Sequence, residues 1–242
     1  MTGREFKDRL SRRGKKAGLT IPSTLADQLW VYFQMLAKWN AKINLTGLDL
    51  AEPTPEGLDR LLIEPLLAAP HGQGAKSLID IGSGGGSPAL PLALALPGVR
   101  LAMIEVKTRK SVFLREAARE LGLEDVTVVT ARHETLLSDP TFHEAFDLLS
   151  VRAVRVEARV FAALQAFICP GGRLLHFRAA VETAPLLPPP LELVGAYGLG
   201  DTSRGQLLVI SKLGSSVPRG TTSQPSREWP SSVPRGTPRN RD

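Results

Sequence analysis

The sequence predicts an α/β protein with a seven-stranded, mostly parallel sheet, helices on both faces, and a helical N-terminal extension. Three observations carry this. From Lys76 onward, short apolar runs alternate with runs of helical spacing. The first apolar run, Leu78-Ile79-Asp80-Ile81, passes into the turn Gly82-Ser83-Gly84-Gly85-Gly86 and then into an apolar segment from Ala89. The second run closes on an acid, Glu105, 23 residues after Gly82. Strand, glycine turn, helix and a following acidic strand end form the layout of a nucleotide-type ligand site. A glycine turn with no ligand is the plainer alternative, and the flanking strand, helix and acid argue against it.

Residues 6–17 read as a short basic helix ended by Gly18. Pro22-Ser23 reads as the next helix start, with Ser23 as its cap. Beyond it Leu25, Leu29, Tyr32, Leu36 and Trp39 recur at helical spacing, a core-facing stripe widened by Trp30 and Phe33. Residues 47–57 form a loop, and 58–69 resume helical spacing with a kink or restart at Pro65. A helical cap, residues 1–70, thus precedes the α/β domain, residues 71–213. In that domain 77–81, 99–105, 126–130, 146–151 and 173–177 are expected strands, and 89–96, 108–121 and 156–168 expected helices. After a proline-rich break at 185–190, residues 191–197 and 206–212 are two more strands, expected to form an antiparallel edge. Residues 214–242 are different: Ser, Thr, Pro and Gly make up 17 of the 29, and Ser-Ser-Val-Pro-Arg-Gly-Thr occurs twice. Such a tail cannot bury a core and is expected to be disordered.

Charge is uneven along the chain. The net charge is +6, yet residues 1–20 carry seven Lys/Arg against Glu5 and Asp8, and residues 214–242 carry five Arg against Glu228 and Asp242. A basic segment beside a near-neutral body suits a polyanionic partner, nucleic acid before membrane surface. On charge alone, a solvated basic helix accounts for the same pattern. Cys169 is the single cysteine, which excludes an internal disulfide and a cysteine-rich metal site. No metal is expected, since the four histidines lack ligand spacing. The start shows no secretory signal pattern, and the most apolar stretch, residues 88–99, is far shorter than the roughly 20 residues of a membrane span. A cytoplasmic protein is expected, with no membrane contact.

In parallel sheets, ligands bind at the carboxyl ends of the strands where strand order reverses. Asp80 and Gly82 close the first strand, Glu105 the second, Arg132-His133-Glu134 follows the third, and Val151-Arg152 closes the fourth. The separation of Gly82 and Glu105 matches the spacing of roughly 20 at which an acid bonds ribose hydroxyls. The turn departs from the dinucleotide pattern, and no Gly-Lys-Ser/Thr follows it, so a phosphate-binding loop is excluded. Its frame, Asp80-x-Gly82-x-Gly84-x-Gly86, suits S-adenosylmethionine, whose amino-acid end can bond the loop backbone and the carboxylate.

At these residues the chain resembles a known family. Trp39-Asn40 with Asn44-Leu45-Thr46, the loop from Asp80 to Pro88, and Arg109-Lys110 with Phe113-Leu114-Arg115 match the RsmG (GidB) methyltransferases. Phe146-Asp147, Arg152-Ala153 and Gly172-Arg173 continue the match in order across residues 20–212. The resemblance implies a class I, Rossmann-like methyltransferase that moves a methyl group from S-adenosylmethionine to N7 of a guanine in 16S rRNA of the small ribosomal subunit, as a monomer. It also implies cofactor contacts at Asp80, Gly82, Gly84, Gly86, Ser87, Glu105, His133, Glu134 and Arg152, and positioning roles for Glu64, Arg152 and Arg178. Leu61 and Glu64 stand where members carry His and Asp, Val151 where a serine precedes the arginine, and Arg178 where a lysine is usual. Gly205 stands at a usual arginine, and Ser87 at a position usually apolar.

Guanine N7 offers a lone pair and carries no proton, so the reaction needs alignment more than acid–base groups. The motif for exocyclic-amine methylation is absent, and Cys169, at a helix end, reads as packing rather than a nucleophile. Two alternatives stay open at this point: a ribosome-associated protein that binds S-adenosylmethionine without turnover, and a methyltransferase with another substrate.

Overall fold

The computed structural model describes residues 1–152, 156–180, 185–200 and 205–214. The strands are β1 (Ser77–Ile81), β2 (Arg100–Glu105), β3 (Val126–Thr130), β4 (Phe146–Arg152), β5 (Ile168–Ala179), β6 (Leu191–Gly198) and β7 (Gly205–Lys212). They form one sheet in the order β3-β2-β1-β4-β5-β7-β6. All neighbours from β3 to β5 are parallel, and β7 is antiparallel to both β5 and β6. The two last strands form the expected antiparallel edge, with β7 inserted beside β5 and β6 at the rim. Burial explains the choice. Leu207, Leu208, Val209 and Ile210 are apolar on both faces and fully covered, whereas β6 is mostly exposed.

The N-terminal helices follow local chemistry. Helix α1 (Gly3–Lys16) starts earlier than its apolar spacing suggests, because Thr2 and Glu5 form a capping box. Glu5 N donates to Thr2 Oγ1 at 3.3 Å, and Thr2 N to Glu5 Oε2 at 2.7 Å. In α2 (Ser23–Asn40), Ser23 is the first helical residue and makes no side-chain cap bond; Pro22 precedes it with fixed φ. Leu29, Tyr32 and Leu36 are buried as the stripe predicts. Trp30 and Phe33 pack on Phe6 with ring centroids 5.0 and 5.1 Å apart, and Trp39 meets Phe113 at 5.8 Å. The aromatics are core.

The next helical segment runs as α3 (Pro55–Leu58), a π-helical turn (Asp59–Ile63) and α4 (Glu64–Ala68). Its irregularity thus precedes Pro65 rather than following it. The remaining helices are α5 (Ala89–Ala95), α6 (Thr108–Glu120), the short α7 (His133–Leu136) and α8 (Ala158–Leu164). Helix α8 is shorter than expected because β5 already begins at Ile168, pairing with Phe146. The register then shifts before Leu148 pairs with Arg173, an irregularity that takes up Pro170-Gly171-Gly172.

One apolar cluster runs from Phe6 and Leu10 through Leu36, Leu62, Leu78 and Phe113 to Leu207 and Val209. The opposite face of the sheet closes over Phe161, Phe167, Leu174 and Leu208. The N-terminal helices and the sheet therefore share a core. Among the described residues no helix is long and apolar enough to cross a membrane. Apart from Gly214, the expected disordered tail lies outside the described residues.

Candidate active site

Strand order reverses between β1 and β4, and the glycine turn leaves the carboxyl end of β1 at that point. Gly82 N and Ser83 N both donate to Ile104 O, at 2.9 and 3.1 Å, which ties the turn to the end of β2. Gly84 N donates to Glu105 Oε2 at 2.9 Å, and Glu105 Oε1 accepts from Lys107 N at 2.8 Å. A carboxylate has about four acceptor sites, so Glu105 holds the turn and retains capacity for ligand hydroxyls. From the other side Tyr32 Oη donates to Gly85 O at 2.6 Å. A Cβ on Gly85 would lie 3.2 Å from Leu36 Cδ1 and from Leu45 O, and one on Gly86, at φ +88°, would lie 2.6 Å from Leu90 Cδ1. Only glycine lets α2 and α5 approach the turn this closely.

Asp80 is 1% exposed. It pairs in register with Ser150 of β4, whose Oγ donates to Asp80 Oδ1 at 2.5 Å. Asp80 Oδ2 is buried and has no hydrogen-bond partner. Burial pushes the carboxyl up to about 6, against the pull of the Ser150 bond, of the nearby Ser83 hydroxyl and of Arg152. A buried carboxylate oxygen left open beside a glycine cradle has the donor chemistry to receive a cationic amino group. The residues present therefore fit the amino-acid end of S-adenosylmethionine, and Glu105 fits its ribose.

Arg152 closes β4. Its Nη2 lies 3.1 Å from Glu64 Oε2, its Nη1 donates to Arg60 O, and its guanidinium sits 4.9 Å over the Phe177 ring. Burial lowers Arg152 to about 10, opposed by Glu64. Ser87 Oγ donates to Leu61 O at 2.8 Å. Two departures from the family pattern, Leu61 and Ser87, thus meet in one hydrogen bond that uses only the main chain of the first. Beside this bond opens a cleft of about 170 Å³ lined by Leu45, Thr46, Arg60, Gly85, Ser87 and Arg152.

The fold thus brings Asp80, the glycines, Ser87, Glu105, Glu64 and Arg152 around one turn. His133 and Glu134 stand at the same end of the sheet, beyond β3, whose Thr130 pairs with Glu105; His133 Nδ1 is 3.2 Å from Glu134 Oε2. Arg178 is not brought into this group. Strand alternation sets it on the face of His176, which packs on Phe161, while Phe177 faces Arg152. Sequence reasoning missed Ser150, because only the β1–β4 register aims it at Asp80. It read Tyr32 as core alone, although its hydroxyl also holds the turn. Asn40 was noted only as part of a motif. Its Oδ1 accepts from Leu45 N at 2.8 Å and Thr46 N at 3.0 Å, which shapes one wall of the cleft. Among the described residues no cluster of His, Cys, Asp or Glu could hold a metal ion.

The strand order with a single reversed strand, and the acid-flanked glycine turn at its switch point, define a class I methyltransferase. A family model described as rRNA small subunit methyltransferase G, GidB, matches residues 25–187. The ribosomal RNA small subunit methyltransferase G of Neisseria meningitidis serogroup C / serotype 2a is 37% identical over 171 residues, 71% of this chain and 75% of that one. The protein of the same name from Myxococcus xanthus is 33% identical over 183 residues, 76% and 82% of the two chains. The chain belongs to the rRNA small subunit methyltransferase G family, a family of S-adenosylmethionine-dependent enzymes. Solved structures share the fold. They include yhhF of Escherichia coli, described as a candidate methyltransferase (TM-score 0.51, 14% identity, 62% of this chain and 83% of that one). MtNAS in complex with MTA and tNA is another (TM-score 0.51, 15% identity, 87% of each).

Proposed function

We propose that this protein methylates N7 of a guanine in 16S rRNA of the small ribosomal subunit. The observation that carries the reading is the open Oδ2 of buried Asp80 beside the glycine turn, in a chain of this family. When bound, S-adenosylmethionine supplies an electrophilic methyl group on a sulfonium. Asp80, the turn from Gly82 to Ser87, Glu105, and the His133-Glu134 segment would hold it. Guanine N7 has no proton to lose, so the chain's own residues need only orient the base and exclude water. Orientation alone can contribute about 7–11 kcal/mol. Arg152, fixed between Glu64, the Arg60 carbonyl and the Phe177 ring, is a stiff cation at the cleft where the base would enter. Glu64 and Arg152 are its positioning residues. Residues 1–70 form the cap that faces RNA with its basic start, and residues 71–213 carry the cofactor. The protein works in the cytoplasm as a monomer.

The test is methyl transfer to small subunits lacking the modification, and to naked rRNA, with the product nucleoside identified by mass spectrometry. One N7-methylguanine per subunit is expected. A labelled nucleoside other than N7-methylguanine, or binding of cofactor with no transfer, overturns the reading.

A further inference from the structure

We propose that Pro65 and the Arg13–Asp59 pair are positioning residues, which together hold the π-helical turn in the register that offers its carbonyls to Arg152 and Ser87. The proposal rests on the reading of those two side chains as site residues. It also recruits α1, which lies outside the span matched by the family model.

Proline has no N–H. In α-helical register, the donor for Leu61 O would be the N–H of residue 65. In the π register set by Glu64 N donating to Asp59 O, the same N–H would serve Arg60 O. Pro65 can supply the bond in neither register, so one of the two carbonyls lacks its main-chain donor whichever register holds, and side chains from elsewhere reach both. Ser87 Oγ donates to Leu61 O at 2.8 Å, and Arg152 Nη1 donates to Arg60 O. The glycine turn and the end of β4 are thereby fastened to adjacent peptides of one helical turn. A proline at this position removes a main-chain donor that would otherwise share one of these carbonyls.

The turn is gripped from its other side. Asp59 is 1% exposed, and Arg13 of α1 takes both its oxygens, Nε to Oδ1 at 2.8 Å and Nη2 to Oδ2. This two-pronged pairing is specific to a planar guanidinium. The main-chain carbonyl of the same Asp59 accepts the Glu64 N–H, and the Glu64 side chain pairs with Arg152. A second strap, Arg9 Nη2 to Pro53 O at 2.6 Å, holds α1 against the preceding loop. One continuous set of contacts therefore leads from α1, through the register of the turn, to the site.

The experiment is a binding cycle by calorimetry with S-adenosylhomocysteine on the full chain, using Pro65→Ala, Ser87→Ala and the double variant. Alanine restores an N–H that lets the turn relax to α-helical register, where it reaches Leu61 O and competes there with the Ser87 hydroxyl. Pro65→Ala and Ser87→Ala should each weaken binding roughly tenfold, the worth of one hydrogen bond. The double variant should be no weaker than Pro65→Ala alone, with a thermal midpoint for Pro65→Ala at or above that of the parent. A merely structural role for Pro65 would move the midpoint and leave the two binding effects to multiply. Unchanged binding in Pro65→Ala, or effects that multiply, overturns the proposal. Arg13→Lys keeps the charge and loses the two-pronged grip, so it perturbs the turn from α1. It should weaken binding in the same direction, and parent-like binding overturns the proposal even if Pro65→Ala does not fold. Turnover on small subunits is measured separately: a parent that binds without methylating RNA defeats the substrate reading, and the cycle still decides the positioning one.

Discussion

Asp80→Asn should stabilise the ligand-free protein at neutral pH while weakening its hold on cofactor. The carboxyl is raised from an ordinary 3.8 to about 6 because burial disfavours its charged form. A raised acid binds its proton more tightly in the folded than in the unfolded chain, so this group's contribution to stability is full below pH 3.8. It is lost as pH rises through about 6, and it is flat above that. A shift of about two units corresponds to about 3 kcal/mol. Asparagine keeps an acceptor for Ser150 Oγ at the Oδ1 position and places an amide where Oδ2 already lacks a partner. Part of the gain is offset by that unpartnered N–H, leaving a net of about 1–2 kcal/mol. Urea unfolding of both proteins from pH 4 to 8 reads this directly. The variant should be the more stable at pH 8, with the difference shrinking between pH 6 and 4. Calorimetry at pH 8 should show at least about a tenfold loss of S-adenosylhomocysteine affinity as the ammonium's counter-charge is removed. A variant less stable than the parent at pH 8, or a difference independent of pH, would refute the reasoning.

Glu105→Gln leaves one amide NH₂ facing a backbone N–H whichever way it turns, because Gly84 N and Lys107 N each occupy one oxygen. A loss of about 2–4 kcal/mol in unfolding free energy is expected, with cofactor affinity falling as well; a parent-like unfolding curve would count against the clamp. Gly86→Ala, at φ +88° with a Cβ 2.6 Å from Leu90 Cδ1, should lose about 2–4 kcal/mol from strain and overpacking together. Gly84→Ala, whose Cβ meets only Gly82 O at 3.7 Å, should lose about 1 kcal/mol, so equal losses at the two positions would remove the packing argument. Asn40→Ala releases Leu45 N and Thr46 N and should cost about 1–3 kcal/mol, whereas Asn40→Asp, which keeps the acceptor, should recover most of it in the same denaturation assay.

The alternation of strands and helices, the glycine turn and the acids on either side of it were legible because each is a local pattern. A short apolar run, a turn that only glycine can make, and an acid at a strand end are written within a few neighbouring positions. Boundaries were less so. Helix α1 began earlier because Thr2 and Glu5 cap it, and β5 began earlier because a bulge carries the chain through Pro170-Gly171-Gly172.

By itself, then, the sequence determined the layered fold, the place of the cofactor loop and the pairing of Asp80 with Glu105 as its flanking acids. The tertiary structure alone decided which side chains meet there. Ser150 reaches Asp80 from 70 residues away because β1 and β4 are neighbours in one register. The inserted position of β7 depended on which strand carries apolar residues on both faces. The missing N–H of Pro65 was plain in the sequence, but the side chains that reach the Arg60 and Leu61 carbonyls were not. A hydrogen-bonding vacancy is a local fact, and its occupant is chosen by the packing of elements far apart in the chain.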